Sequence, residues 1–142
     1  MQAIRTQKGV RELNLQIHRS RILLVDEDPG DRDRYYQMLH DNGFKVKACS
    51  DFEAGARMLG TVKFDCAVVS QGGPGFEGRL VLEQSMAKDR YRPVVILSRY
   101  HDVGCYLEAM QLGAVDYLEK PLSAVEIVRA VTTHLQPRNA AA

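Results

Sequence analysis

The chain alternates short, uniformly apolar runs with longer helical stretches, and this alternation is the feature that most restricts its fold. Five runs are strand candidates: residues 22–25, 44–48, 66–69, 94–97 and 115–118, of which 44–48 is more amphipathic and the last is interrupted by Asp116. Runs this short and this apolar are typical of a parallel sheet that is covered on both faces. Strands that alternate with helices form right-handed βαβ units. We therefore predict an α/β fold, a three-layer α/β/α sandwich around a five-stranded parallel sheet.

Start and stop signals predict five helices after the five strands. The first has a cap at Asp28 with a proline at the next position, and it ends at Gly43. The other four are predicted to start at the capping-box residue Ser50, near Gly78, near His101 and at the capping-box residue Ser123. Each predicted helix lies between or after the predicted strands, where it can cover one face of the sheet.

Polar residues stand where the predicted strands end. Asp26 and Glu27 follow the first strand, Ser70 the third, Ser98 the fourth and Lys120 the fifth. In an open α/β sheet, ligands bind beyond the carboxyl ends of the strands, where the strand order reverses. We expect the candidate site at this edge.

Charge and cysteine content exclude several classes of function. Nineteen basic and eighteen acidic residues leave a net charge of +1, so no overall field attracts nucleic acid or an anionic membrane. The three cysteines fit neither a metal-ligand spacing nor a disulfide framework, which is typical of a reducing compartment. No window approaches the ~18 apolar residues of a membrane span. We predict a cytoplasmic protein that binds no membrane and, by this chain alone, no nucleic acid.

The two ends of the chain differ from the repeating pattern. Residues 1–20 are locally basic, and Leu13, Leu15 and Ile17 alternate with polar residues. This N-terminal extension is either a partly ordered leader or an extra edge strand or docking arm. Residues 136–142 form a tail, either a frayed end or a truncated linker.

Five segments, in order and with matching gaps, resemble the receiver domain of two-component response regulators, the chemotaxis-receiver-like family. The resemblance extends over residues 21–135, about four fifths of the chain. The segments are Ile22-Leu23-Leu24-Val25-Asp26-Glu27, Phe64-Asp65-Cys66-Ala67-Val68-Val69, Gly75-Phe76-Glu77-Gly78, Pro93-Val94-Val95-Ile96-Leu97-Ser98 and Gly113-Ala114-Val115-Asp116-Tyr117-Leu118-Glu119-Lys120-Pro121.

The resemblance implies a flavodoxin-like fold with strand order 2-1-3-4-5 and a site that accepts a phosphoryl group. In the family an acidic pair holds Mg²⁺, an aspartate is the acceptor, a hydroxyl residue and a lysine bind the phosphoryl oxygens, and an aromatic residue reports the state. The matching positions are Asp26 and Glu27 for the acidic pair, Ser98 for the hydroxyl, Lys120 for the lysine, Tyr117 for the aromatic and Ser70 for the acceptor.

A serine at the acceptor position changes the chemistry that the family pattern implies. A serine hydroxyl is a weak nucleophile unless a base removes its proton, whereas an aspartate is ionised at neutral pH. The loss of one carboxylate also weakens or abolishes Mg²⁺ binding at Asp26 and Glu27, and Mg²⁺ is the only cofactor that the resemblance implies. We expect Lys120, which lacks an acidic partner at position 70, to turn to Asp26 or Glu27 and compete with the metal.

Simpler explanations stand beside these assignments. Arg99, where the family usually has a small residue, either folds into the site as a built-in cation or points to solvent. Asp26 and Glu27 can be the acidic start of a helix without a ligand. Ser98 can cap backbone groups at a strand end, and Tyr117 can be half-buried packing.

These observations favour an atypical receiver, a pseudo-receiver without enzymatic activity that binds a protein partner independently of phosphorylation. The partner would be a histidine kinase or a downstream effector. A second copy of the same chain, forming a homodimer, is a further alternative. One alternative is a receiver that uses another acceptor, for which Asp28 is the nearest spare carboxylate; another is the receiver part of a longer regulator. A small flavodoxin-like enzyme or nucleotide binder is disfavoured, because the chain has no G-x-G-x-x-G fingerprint.

Overall fold

Five strands alternate with five helices in the computed structural model, which describes residues 19–100 and 102–135. The elements are β1 (Arg21–Val25), α1 (Pro29–Asp41), β2 (Lys45–Cys49), α2 (Phe52–Thr61), β3 (Cys66–Ser70), α3 (Arg79–Lys88), β4 (Val94–Ser98), α4 (Val103–Gln111), β5 (Asp116–Glu119) and α5 (Ala124–His134). The predictions for residues 1–18 and 136–142 lie outside the described residues and stay predictions. No helix among the described residues is long and apolar enough to cross a membrane.

The sheet is parallel throughout, with strand order β2-β1-β3-β4-β5. Ile22 of β1 lies beside Cys66 of β3, and Ala67 of β3 lies beside Val94 of β4. The predicted α/β class and the strand order implied by the family resemblance are therefore confirmed.

Two cores lie on opposite faces of the sheet, because successive side chains of a strand point to opposite sides. Ala67 and Val69 of β3 pack with α2, α3 and α4, and we call this side the α2–α4 face. Cys66 and Val68 pack with α1 and α5 on the other side, the α1/α5 face. All four side chains are buried, so each strand contributes alternate residues to two separate cores.

Two helices start one or two residues after the predicted place. The start predicted at Ser50 lies at Asp51, whose carboxylate accepts the backbone N–H of Glu53 at 3.1 Å. The start predicted near residue 101 lies at Asp102, whose carboxylate accepts the backbone N–H of Cys105 at 3.0 Å. Aspartate caps a helix as well as serine does, so the cap falls where the preceding chain allows the turn.

The caps predicted for the first and last helices are confirmed. Asp28 accepts the backbone N–H of Asp31 at 3.1 Å and opens α1. Ser123 and Glu126 form a reciprocal capping box at the start of α5, with distances of 3.2 and 3.1 Å. These short contacts fix where each helix begins at the edge of the sheet.

Candidate functional site

Strand pairing continues one residue past the ends of the strands, and this sets the direction of the site side chains. The backbone N–H of Asp26 donates to Cys49, that of Gln71 to Leu97 and that of Lys120 to Ser98, at 3.0, 2.7 and 2.7 Å. The alternation of side chains is therefore preserved at the edge. It places Asp26, Ser70 and Lys120 on the α1/α5 face, and Gln71, Ser98 and Tyr117 on the α2–α4 face.

Ser70 is held in place by a close approach of the following loop. A Cβ at Gly78 would lie 2.1 Å from the carbonyl oxygen of Ser70, so only glycine permits this contact. The backbone N–H of Gly78 donates to the carbonyl of Gln71 at 2.9 Å. The spacing between Ser70 and Gly78 in the sequence thus has a structural cause.

Lys120 is a buried cation between two buried carboxylates. Its Nζ lies 2.9 Å from Asp26 Oδ2, 3.0 Å from Asp31 Oδ2 and 3.3 Å from Ser70 Oγ. All four side chains are almost completely excluded from solvent. We call Asp26, Asp31, Ser70 and Lys120 the ionic cluster.

Asp31 also binds two arginines. Arg34 Nη1 lies 3.2 Å from Asp31 Oδ1, and Arg99 Nη2 donates to Asp31 Oδ2. Arg99 also lies 3.3 Å from Asp28 Oδ2, and its side chain is 48% exposed. Of the two orientations open for Arg99, the structure shows the one that folds over the site, but its partners are Asp28 and Asp31.

Burial and ion pairing shift the pKa values of the charged groups in opposite directions. Burial raises the pKa of Asp26 to about 6, against the hydrogen bond from Lys120, which lowers it. Burial also acts to lower the pKa of Lys120, but the contacts with Asp26 and Asp31 outweigh it and raise this pKa. For Glu27, burial is likewise outweighed, chiefly by a hydrogen bond from Ser70, and the pKa is lowered. Lys120 and Glu27 are therefore charged at neutral pH.

These residues do not fit the Mg²⁺ that the family resemblance implies. Mg²⁺ requires a nearly octahedral shell of oxygen ligands, and the ammonium of Lys120 lies against Asp26, one of the two candidate carboxylates. The arrangement is that of an internal ion pair.

A neutral hydrogen-bond network lies on the other face of the sheet. The fully buried Gln71 accepts, at Oε1, the hydroxyl of Ser98 at 2.8 Å and the hydroxyl of Tyr117. Its amide donates to the carbonyl of Gly73 at 3.1 Å. Ser98 Oγ also accepts the backbone N–H of Tyr100 at 3.0 Å, so Ser98 caps a strand end as well. We call Gln71, Ser98 and Tyr117 the neutral cluster.

Comparison with known proteins identifies the family. Residues 22–132 match the response regulator receiver domain. The chain belongs to this family. It is a receiver domain of the kind found in two-component response regulators.

Similar proteins agree with this assignment. The receiver domain is 31% identical over 121 residues to the transcriptional regulatory protein FixJ of Bradyrhizobium diazoefficiens, a match that covers 85% of this chain and 59% of FixJ. It is 30% identical to the transcriptional activator protein PfeR of Pseudomonas aeruginosa, covering 84% of this chain and 39% of PfeR. The receiver domain thus spans less than two thirds of either relative.

Solved structures show the same fold. Full-length FixJ from B. japonicum superposes with a TM-score of 0.75 at 32% identity, over 86% of this chain and 61% of FixJ. A CheY-like receiver domain from Methanospirillum hungatei superposes with a TM-score of 0.79 at 21% identity, over 87% and 99% of the two chains. At that lower identity the likeness concerns the fold alone.

The receiver domain brings the predicted site residues together in two groups. Asp26, Ser70 and Lys120 meet on one face, and Lys120 is paired with Asp26, one of the two partners predicted for it. Ser98 and Tyr117, which were expected in the same site, are joined to each other through Gln71 on the opposite face.

Sequence reasoning missed two central residues, Asp31 and Gln71. Asp31 lies four residues before Tyr35 and eight before Leu39, so it falls on the buried stripe of α1. An acidic residue on such a stripe needs a cationic partner, and this was an available signal. Gln71 directly follows a fully apolar strand and its serine, and an amide there indicates a buried partner as well.

Proposed function

We propose that this receiver domain accepts no phosphoryl group at position 70 and acts in two-component signalling as a phosphorylation-independent protein-interaction module. The observation that carries the proposal is the surroundings of Ser70: the buried ammonium of Lys120 donates to its hydroxyl at 3.3 Å. A serine becomes a nucleophile only when a base takes its proton. An ammonium is a donor and cannot do this.

Glu27 is a candidate base beside Ser70, and its properties argue against that role. It accepts a hydrogen bond from Ser70, and its pKa is lowered. A carboxylate with a lowered pKa is a weak base at neutral pH, because proton transfer to it is unfavourable. The cavity above Ser70, about 370 Å³, is lined by the carboxylates of Glu27 and Asp28 and by the cations Arg99 and Lys120, and Arg99 is already paired with Asp28.

Asp28 is the other carboxylate considered as an acceptor, and both of its oxygens make structural contacts. One of its oxygens accepts the backbone N–H of Asp31 and the other accepts Arg99. It stands at the start of α1, whereas the acceptor position lies at the end of β3. A working receiver with Asp28 as acceptor would have to break these contacts.

Receiver domains in general bind histidine kinases or effectors, and we propose the same class of partner here. The surface formed by α4, β5 and α5 suits that role, since α4 exposes Val103, Tyr106, Leu107 and Met110 there. Such apolar exposure on one side of a small domain is typical of an interaction surface. The domain would carry out no reaction of its own.

A second proposal is that the domain works as the receiver part of a longer regulator. The observation that favours it is the length of FixJ and PfeR, of which the matched region is 59% and 39%. Both proposals are compatible, because an interaction module can also regulate an attached domain.

Intact-mass spectrometry with acetyl phosphate and Mg²⁺ tests the proposal. The natural protein, Ser70→Ala and Ser70→Asp are compared, and we expect an adduct only on Ser70→Asp. An adduct on the natural protein that Ser70→Ala abolishes would overturn the proposal; an adduct that Ser70→Ala retains would point to another acceptor, found by peptide mapping. If Ser70→Asp also stays unmodified, the double variant Ser70→Asp/Arg99→Ala shows whether Arg99 closes the site.

A further inference from the structure

We propose that Gln71 is a positioning residue that holds the Tyr117 side chain directly, and the backbone at Tyr100 through Ser98, in one fixed arrangement on the surface between β5 and α4. The inference rests on the proposed function, since it explains how that surface is ordered without a phosphoryl group. According to this inference, the buried amide of Gln71 fixes the arrangement of the surface between β5 and α4.

Gln71 has properties that packing alone does not require. Its side chain is fully buried among apolar residues of the α2–α4 face, where an amide without partners would be costly. The amide oxygen can accept two hydrogen bonds, and it accepts two, from Ser98 and Tyr117. A leucine or methionine would fill the same space without these partners.

The two hydroxyls connect Gln71 to two separate strands. Ser98 ends β4, and its Oγ accepts the backbone N–H of Tyr100 at 3.0 Å. Tyr117 lies in β5 and donates its own hydroxyl. Gln71 therefore acts on Tyr100 through Ser98 and on Tyr117 directly.

Both tyrosines line one surface groove. The groove has a volume of about 240 Å³ and is lined by Tyr100, Asp102, Val103, Tyr106, Tyr117 and Glu119. The Tyr117 ring meets Tyr106 of α4 edge to face, with ring centroids 5.6 Å apart. A rotation of Tyr117 would break this contact, so the shape of the groove depends on the hydroxyl anchor in the core.

The acidity of Tyr117 agrees with an inward hydroxyl. Burial raises the pKa of its phenol above the ordinary value. A phenol that pointed to solvent would lack the burial effect.

Nitration by tetranitromethane, followed by peptide mass mapping, measures the reactivity of each tyrosine separately. Tyr91, which is 80% exposed, and Tyr35, which is 0% exposed, provide the upper and lower references within the same chain. In Gln71→Leu we expect the nitration rate of Tyr117 to rise several-fold toward that of Tyr91, while Tyr35 stays protected. In Gln71→Glu, which keeps an acceptor at the same place, Tyr117 should react no faster than in the natural protein.

An unchanged rate at Tyr117 in Gln71→Leu, with Tyr35 still protected, would overturn the inference. If Tyr35 becomes reactive, the variant has lost its fold, and Gln71→Met, which keeps the length of the side chain, takes its place with the same two outcomes. An equal rise in Gln71→Glu would also contradict a role for the acceptor. The failure of this inference is distinct from that of the proposed function, which depends only on phosphoryl adducts.

Discussion

The end of β3 joins two polar clusters of opposite character. Ser70 lies in the ionic cluster on the α1/α5 face, where a lysine is paired with two carboxylates. Gln71, the next residue, lies in the neutral cluster on the α2–α4 face, where an amide is paired with two hydroxyls. Both are buried, so the difference between them is one of charge.

Charge decides how much each cluster can contribute to stability. Removing one partner of a buried ion pair leaves an uncompensated charge and costs about 3–5 kcal/mol, whereas the loss of a neutral hydrogen bond costs about 0.5–1.5 kcal/mol. We infer that breaking the ionic cluster destabilises the edge of the sheet more than breaking the neutral cluster does, and that the neutral cluster orients the surface beyond it.

Lys120→Met should have the largest effect on stability and is therefore the first test of this difference between the clusters. It leaves Asp26 and Asp31 buried without their shared cation, and we expect the free energy of unfolding to fall by about 3–5 kcal/mol in urea denaturation at pH 8. The loss should be smaller at pH 5, because the pKa of Asp26, already raised by burial, rises further without Lys120, and the folded state then takes up a proton.

The exposed Lys63 offers a matched control, since Lys63→Met removes the same charge at the surface. A loss in Lys120→Met no larger than in this control, or one that is equal at both pH values, would mean that the buried pair contributes no special stability.

Asp31→Asn should have the next largest effect. Lys120 keeps Asp26, but Lys120, Arg34 and Arg99 lose a charged acceptor, and hydrogen bonds to charged groups are worth about 1.5–3 kcal/mol. The measurement is the same urea titration, with Asp33→Asn on the exposed side of α1 as control. Equal stability of the two variants would mean that the contacts of Asp31 in the ionic cluster do not stabilise the fold.

Ser98→Ala tests the neutral cluster. Gln71 keeps Tyr117 as a donor, so we expect a loss of about 1 kcal/mol that is the same at pH 5 and pH 8. Ser50→Ala is the control, because Ser50 is exposed and Asp51 caps α2 in its place. A loss above that of Asp31→Asn would reverse the order of the two clusters.

Much of the fold could be predicted from the sequence, because the apolar runs that form strands are local patterns. The strands start and end within about one residue of the predicted places, and the helices predicted to start at Ser50 and near residue 101 begin one or two residues later, at aspartate caps. The carboxyl-end rule also correctly brought Asp26, Ser70 and Lys120 to one edge.

The division of the site into two clusters could not be predicted in the same way. Whether a buried polar residue such as Asp31 or Gln71 has a partner depends on which side chain faces it from another element, and that is a tertiary property. The alternation within β3 does assign Ser70 and Gln71 to opposite faces, but the partners on each face come from α1, β4 and β5. The orientation of Arg99, left open by the sequence, depended on the unrecognised Asp31.

Arg99→Ala should have the smallest effect and decides whether Arg99 belongs to the ionic cluster. Arg99 is 48% exposed and shares Asp31 with the buried Lys120, which already compensates the charge. Half-exposed ion pairs contribute about 0–1 kcal/mol and are screened by salt, so we expect a loss below about 1 kcal/mol that decreases between low and high ionic strength. Arg57→Ala, at an exposed position of α2, is the control. A loss of about 3 kcal/mol that salt does not change would instead place Arg99 inside the cluster as a second structural cation. The site over Ser70 would then be closed by the fold itself, because the arginine that covers the cavity could not leave without the cost of breaking a buried pair.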